Sequence, residues 1–385
     1  FQVLRHWRLT QELVAPEALT PNWAVRLHVL LVDWPDGQAK SFRSRWTDWV
    51  NAQLKPEDQA KVLACQARLR QADSLPLSVR WSIPDWMNQR LDDEAPGVAP
   101  ELWPALMKRA PVDLRVNVSS CKRAQAQQML AEEGIPCEPT PFSPWGLRLT
   151  QPTGLTHTPV FKQGLIEVQD EASQLLAALV GARRGQIVVD FCAGAGGKTL
   201  ALGAMMRGTG QLYAMDISAA RLQAMMPRLQ RAGLKNVSTW GIQSHRDARL
   251  NRLWGKADAV LVDAPCSGSG TLRRSPEIKW QLQPDDLAIH AARQLDILRS
   301  AAKLLKPGGR LVYATCSFMQ EEDEQVALAF DASEPDFVPV LAQTALAELK
   351  LSPNSQLCDP TGRWFRTWPH LHRTDAFFAS IWTTR

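Results

Sequence analysis

The chain has 385 residues, 45% hydrophobic and 22% charged, with a net charge of +5, which is ordinary for a soluble globular protein and long enough for two or three domains with a full-sized core. Its seven cysteines have no paired spacing, so neither a disulfide framework nor a zinc site is expected, and no metal with them. No apolar run of about 18 residues and no signal-peptide core is present, so no membrane partner is expected and the expected address is a reducing cytoplasm; the mild positive charge suits a polyanionic partner without proving one.

Residues 1–100 read as a helical domain. Residues 23–32 and 57–65 carry apolar side chains at helical spacing. Ser82 or Asp85 gives N-cap character to a short helix within 81–87, and the polar, proline-containing stretch 92–100 reads as a loop or linker. Residues 101–160 change character: 112–118 alternates like a strand, 122–133 is a helix pattern, 146–149 is another short strand, and 154–164 is an irregular approach to the next domain. From 161 to 385 strands and helices alternate. Strand patterns fall at 187–190, 211–216, 236–242, 259–263 and 309–315. Helix patterns begin at Thr199, run from Ser218 to a stop at Gly233, and run from 286 to 305 before Lys306-Pro307-Gly308-Gly309. The fold class this predicts is α/β, with a doubly wound, mostly parallel sheet preceded by the small α/β module and the helical domain.

The most informative turn is Asp190-Phe191-Cys192-Ala193-Gly194-Ala195-Gly196-Gly197-Lys198-Thr199. Its glycines allow a tight turn and close backbone approach to a ligand at a helix N-terminus. A P-loop would need glycine where Cys192 stands, and a dinucleotide fingerprint would need glycine where Thr199 stands. S-adenosylmethionine (SAM) has no pyrophosphate and tolerates a looser glycine pattern. Asp216, at the end of the next strand, reads either as a carboxylate for both ribose hydroxyls or as a helix cap ahead of Ser218.

Two cysteines follow predicted strands: Cys266 in Asp263-Ala264-Pro265-Cys266-Ser267-Gly268, and Cys316 in Ala314-Thr315-Cys316-Ser317. In an open parallel sheet ligands bind beyond the carboxyl ends of the strands, so the glycine turn and both thiols should meet at one cleft. A thiolate that adds to carbon 6 of cytosine makes carbon 5 nucleophilic toward the methyl group of SAM; the carbon-5 proton then leaves and the thiol is expelled. Chemistry on a base edge also favours single-stranded or loop RNA, where the base is unstacked. Spacing leaves open which thiol attacks, and either cysteine alone reads equally well as a small buried apolar residue. Cys65, Cys121, Cys137 and Cys358 lack such context and read as structural.

On the glycine turn, Asp216, the two cysteine loops, Thr271-Leu272-Arg273-Arg274 and Lys279-Trp280, the chain resembles the RsmB/Nol1–Nop2/Sun family of RNA cytosine-5 methyltransferases over about residues 110 to 385. The resemblance implies a Rossmann-like SAM-dependent methyltransferase that forms 5-methylcytidine, with Cys316 as nucleophile, Cys266 assisting release of the enzyme–RNA adduct, Asp263 contacting the cytosine edge and methyl-donor region, and Lys198 near the reacting centre. SAM would lie on Cys192, Ala193, Gly194, Ala195, Gly196, Gly197, Lys198, Asp216 and Asp263. The implied partner is RNA, 16S rRNA or a small-subunit precursor, bound by a monomer. Residues 1–100 would be an RNA-binding, NusB-like domain in shortened form, and 101–160 an RNA-recognition-like module in which Arg115 and Asn117 are structural or RNA-facing. Two positions depart from the family: Ala195 stands where proline is usual, and no aspartate follows the third strand directly, so Gln243 is taken as the adenine contact. The same chemistry on tRNA or 23S rRNA, a DNA methyltransferase with Cys266 as nucleophile, and a non-catalytic ribosome-assembly factor are the rival readings.

Three further groups could face RNA or be structural: Arg273-Arg274 as phosphate contacts, Lys279-Trp280 as a charge beside a stacking ring, and the basic–aromatic run from Arg363 to His370, which reads equally as a final strand or hairpin.

Overall fold

The computed structural model describes residues 2–15, 17–31, 49–50, 52–349 and 354–385. Val32, the last residue of the expected helix at 23–32, lies outside them. Two compact units divide the chain. One comprises Phe1–Ala110 with Thr271–Pro284, the other Pro111–Gly270 with Asp285–Arg385.

The first unit is helical. Trp7–Val14, Pro21–Leu31 and Pro56–Leu69 bury Leu9, Leu13, Leu27, Val62 and Cys65 in one cluster. The expected loop at 92–100 is confined to residues 95–98, because the helix Asp85–Glu94 runs into it and Ala99–Met107 begins the next helix. Asn88 donates to Asp92 and Gln89 to Asp93, each at 2.9 Å, so these acids serve the one-turn spacing that stabilises helices rather than a linker. Ser82 does not cap this helix; its hydroxyl accepts from the Leu9 backbone N–H at 2.9 Å. The segment Thr271–Pro284 is tied to the same unit by Lys279, whose ammonium donates to the Arg5 carbonyl at 2.9 Å, and by the Trp280 indole, which donates to the Leu4 carbonyl at 3.0 Å.

The second unit holds two sheets. β1 (Asp113–Val116), β2 (Cys137–Pro139), β3 (Gly146–Leu149) and β4 (Ile166–Val168) form a four-stranded sheet in the order β2-β3-β1-β4, with every pairing antiparallel. Sequence patterning did not indicate β2 and β4, which are three-residue strands too short to show alternation. Arg115 and Asn117 are buried ties of this module. Arg115 donates to Gln169 at 2.6 Å, and Asn117 donates to the carbonyls of Gly164 and Ala232 at 3.0 and 3.1 Å.

The larger, eight-stranded sheet contains β5 (Ile187–Asp190), β6 (Gln211–Asp216), β7 (Val237–Gly241), β8 (Ala257–Asp263), β9 (Leu305–Thr315), β10 (Phe337–Val340), β11 (Phe365–Thr367) and β12 (Phe377–Thr384). Its order is β10-β12-β9-β8-β5-β6-β7, with β11 paired to β12. β5 to β9 are mutually parallel, while β12 enters antiparallel between β9 and β10. This is a Rossmann-like, doubly wound arrangement, as expected. The helix Pro284–Ala302 ends before Leu305, which already pairs with Ala257 in β9; burial of Leu304 and Leu305 draws the chain into the sheet ahead of the Pro-Gly-Gly stop.

The connection reverses at β5: β6 and β7 lie on one side, β8 and β9 on the other. Such a switch point opens a crevice at the carboxyl ends of the strands. The turn after β5 and the loops after β8 and β9 are therefore neighbours by topology.

Candidate active site

The glycine turn leaves β5 and enters the helix Gly197–Met205. Gly196 sits at φ +88°, and a Cβ there would lie 2.4 Å from Met225 Cγ, so only glycine fits this left-handed corner. Gly194 sits at φ +54°, and a Cβ there would meet nothing within 4 Å; the turn faces open space. Asp216, at the end of β6, accepts from the Gly194 N–H at 2.8 Å and from the Ser218 N–H at 2.7 Å, while Ser218 caps the following helix. Asp216 thus fixes both the turn and the residue that caps the next helix. Cys192 is half-buried and Ala193 buried; Ala195 is exposed, and its carbonyl accepts from Arg228. Gln243 is exposed beyond β7, and its N–H donates to Asp247 at 3.0 Å. Asp247 is itself committed to Arg249, which holds it below the usual carboxylate range. Ile217, passed over in the sequence, is 72% exposed immediately after Asp216 and offers an apolar platform at the same strand end.

Beyond β8 and β9 the two thiols meet, with Cys266 Sγ 3.4 Å from Cys316 Sγ. Both are partly exposed free thiols. The hydrogen bond to Cys316, then burial, pushes the Cys266 thiol well above its ordinary value. Lys198, nearly buried on the helix after the glycine turn, donates to Asp263 at 2.7 Å, and its ammonium lies 5.5 Å from the Phe377 ring centroid. Burial disfavours the Lys198 charge, but Asp263 and the Cys316 sulfur more than offset this, and the net shift is upward. Below the turn, Asp190 is fully buried and accepts from Thr199 at 2.7 Å; burial pushes it up to about 7.

The thiol loops are locked to one another. Gly270 N–H donates to the Cys316 carbonyl at 2.9 Å, and a Cβ at Gly270 would lie 2.2 Å from the Ala376 carbonyl oxygen. Ser269 and Ser317 hydroxyls lie 3.0 Å apart, and Ser269 also accepts from Phe318 N–H at 3.1 Å. Two buried carboxylates lie under these loops. Glu322 accepts from Ser267 N–H at 2.7 Å, and Asp323 accepts from the Thr315 hydroxyl and from Arg366. Neither was singled out in the sequence, where Glu321-Glu322-Asp323-Glu324 has the look of a solvated charge run.

The surface groups proposed to face RNA are largely built into the fold. Arg273 is 4% exposed and Lys279 fully buried. Arg366 pairs with Asp323 and Glu324, Arg363 with Asp331, and β11 with β12, so the C-terminal run closes the sheet as a hairpin. Arg274 is exposed.

A family model described as 16S rRNA methyltransferase RsmB/F matches residues 177–383, and one described as the RsmF/B-like ferredoxin-like domain matches 83–156. Ribosomal RNA small subunit methyltransferase B from Vibrio cholerae is 34% identical over 283 residues, 73% of this chain and 64% of that protein. The protein of the same name from Klebsiella pneumoniae is 36% identical over 260 residues, 67% of this chain and 59% of that protein. The chain thus spans less than two thirds of these relatives' length. A crystal structure titled as a methyltransferase homolog protein from Pyrococcus horikoshii is similar at a TM-score of 0.67 and 29% identity, covering 80% of this chain and 98% of that one.

Proposed function

This chain belongs to the 16S rRNA methyltransferase RsmB/F family, and from that premise we propose that it transfers a methyl group from SAM to carbon 5 of a cytosine in 16S rRNA, through a covalent adduct between Cys316 and cytosine carbon 6. The observation that carries this reading is the pair of thiols 3.4 Å apart beside the Lys198–Asp263 pair at the switch point.

The residues suit SAM. The glycine turn from Cys192 to Lys198 leaves open space over Gly194, and Asp216 is fixed by two backbone donors so that its remaining lone pairs can accept from ribose hydroxyls. Ile217 supplies an apolar surface for the adenine, and the Gln243 amide can meet its polar edge. When bound, SAM supplies an electrophilic methyl group.

The chain's own residues do the rest. Cys316 Sγ forms a bond to carbon 6, and the carbon 5–carbon 6 π pair moves to carbon 5. Asp263 accepts from the cytosine amino group, and Lys198 holds Asp263 in place. Once carbon 5 has used its pair to bond the methyl group, its proton passes to water, the pair left behind re-forms the ring double bond, and the sulfur–carbon 6 bond breaks with its pair on sulfur. Cys266, 3.4 Å from Cys316, stands where it can assist that release.

We assign RNA binding to residues 1–100 and to the module at 101–160, and catalysis to 161–385, acting as a monomer in the cytoplasm; the seven free thiols suit a reducing compartment. The test is transfer of labelled methyl from SAM to unmodified 16S rRNA, followed by nucleoside digestion. Label in 5-methylcytidine is expected. Label only in tRNA or 23S rRNA would move the substrate, and SAM binding without transfer to any nucleic acid would overturn the catalytic reading.

A further inference from the structure

Glu322 is a fully buried carboxylate whose hydrogen bonds converge on the cysteine loops. It accepts from the Ser267 N–H at 2.7 Å, from the Ser267 hydroxyl, and from the Ser317 hydroxyl. Ser267 directly follows Cys266, and Ser317 directly follows Cys316. From the other side the helix Pro284–Ala302 supplies two more partners: His290 Nδ1 at 3.1 Å and Gln294 Nε2, which donates at 3.1 Å. Gln294 Nε2 also donates to the Pro265 carbonyl at 3.0 Å, and the Tyr313 hydroxyl donates to the Glu322 carbonyl and lies 3.1 Å from Gln294 Oε1. Both flanks of Cys266, Pro265 and Ser267, are thereby referenced to one acid.

A buried carboxylate is an expensive way to fill space, since an apolar side chain of similar volume packs at no desolvation cost. Here the acid is ionised: burial raises it, but the hydrogen bonds from His290, Ser267 and Ser317 outweigh burial and the net shift is downward. An ionised acceptor binds these donors about twice as strongly as a neutral one, which suits a loop that must hold still. The loop contains Gly268 at φ +73° and has no helix or strand geometry between Asp263 and Ser269. Its conformation therefore rests on side-chain anchors, and Glu322 carries several of them.

We propose that Glu322 is a positioning residue for Cys266: it pins the Pro265–Ser267 loop so that the thiol faces Cys316, and its loss stalls turnover at the covalent RNA adduct. The proposal rests on the reading that Cys266 assists release. Glu322 itself does not touch the reacting atoms. Its negative charge also works against ionisation of Cys266, along with the hydrogen bond to Cys316 and burial.

The test uses the full chain with unmodified 16S rRNA and SAM, and compares Glu322→Gln, Ser267→Ala and Cys266→Ala. The readouts are kcat and KM for RNA, adduct on a denaturing gel, and the pH profile of Cys266 alkylation followed by mass spectrometry. Glu322→Gln is expected to lower kcat at least about tenfold with KM for RNA within about threefold, to accumulate adduct as Cys266→Ala does, and to shift the Cys266 alkylation profile to lower pH. Ser267→Ala, which keeps its backbone donor, is expected to accumulate less adduct than Glu322→Gln. If Cys266→Ala accumulates adduct while both other variants turn over without it, the positioning role is overturned and the release reading stands. If Cys266→Ala gives no adduct, the release reading falls and the proposal with it. Should Glu322→Gln lack a cooperative thermal transition, Ser267→Ala decides by the same criterion: adduct supports the role, and its absence overturns it.

Discussion

Glu322 and Asp323 are adjacent in the chain and both fully buried, yet they serve different loops: Glu322 accepts from Ser267 beside Cys266, and Asp323 accepts from Thr315 beside Cys316. One turn of backbone thus sets the reference frame for both thiols. Each acid has a basic partner reaching in from elsewhere, His290 for Glu322 and Arg366 for Asp323.

The proposed division of labour between Cys316 and Cys266 predicts opposite phenotypes. Cys316→Ala is expected to cut methyl transfer by at least about a thousandfold and give no adduct. Cys266→Ala is expected to trap protein on RNA. Denaturing electrophoresis with labelled RNA checks both, and adduct with Cys316→Ala alone would reverse the two roles.

Lys198→Met removes the partner of Asp263 while keeping the length of the side chain. Single-turnover methyl transfer is expected to fall by about a hundred- to a thousandfold, the range for loss of one preorganised electrostatic group. SAM affinity measured by calorimetry should change much less. A loss confined to SAM binding would place Lys198 outside the reacting centre.

Asp216→Ala removes the acceptor that ties Gly194 to Ser218. Hydrogen bonds to a charged group contribute about 1.5–3 kcal/mol, so SAM affinity should weaken by about 10- to 100-fold. Ile217→Asp should weaken it too, by taking away the apolar platform and adding a like charge beside Asp216. Isothermal titration with SAM reads both; unchanged affinity in Asp216→Ala would remove the ribose assignment.

Burial, with Arg5 adding to it, pushes the Lys279 ammonium down from 10.5 to about 7. The folded value lies below the unfolded one, so the contribution to stability is fully present above about pH 10.5 and is lost as pH falls through about 7. Lys279→Met should therefore raise the melting temperature of the helical unit at pH 6 by a few degrees, with the gain shrinking toward pH 10. Calorimetric scans across that range test this, and a gain independent of pH would assign it to packing instead.

Arg366→Met leaves Asp323 buried without its cation. Removing one partner of a buried pair costs about 3–5 kcal/mol, and because Asp323 holds Thr315, methyl transfer should fall together with stability. Urea denaturation and single-turnover assays on the same preparation check whether the two losses coincide.

Periodicity made the parallel strands β5 to β9 legible, because buried parallel strands are near-continuous apolar runs between glycine-bearing turns. β2 and β4 were not, since three residues carry no period, and the expected loop at 92–100 is shorter, residues 95–98, because Asp92 and Asp93 pair one turn back along a helix. Within the site, the glycine turn, Asp216, Asp263, Lys198, Cys266 and Cys316 could be picked out as residues whose chemistry stands out beside strand ends. Glu322, Asp323, Ile217 and Phe377 could not, because nothing local separates a buried acid from a solvated one or an exposed isoleucine from a core one.

The sequence by itself determined the class of fold and that the glycine turn and the two cysteine loops meet, because a βα array places all the loops after its parallel strands at one edge of the sheet. Only the tertiary structure decided that the two sulfurs lie 3.4 Å apart, that Lys198 reaches Asp263, and that Arg273, Lys279 and Arg366 serve the fold. Those outcomes depend on which side chains lose water and find partners across long chain separations. Local spacing cannot encode that, because the partner of a buried charge lies on another element.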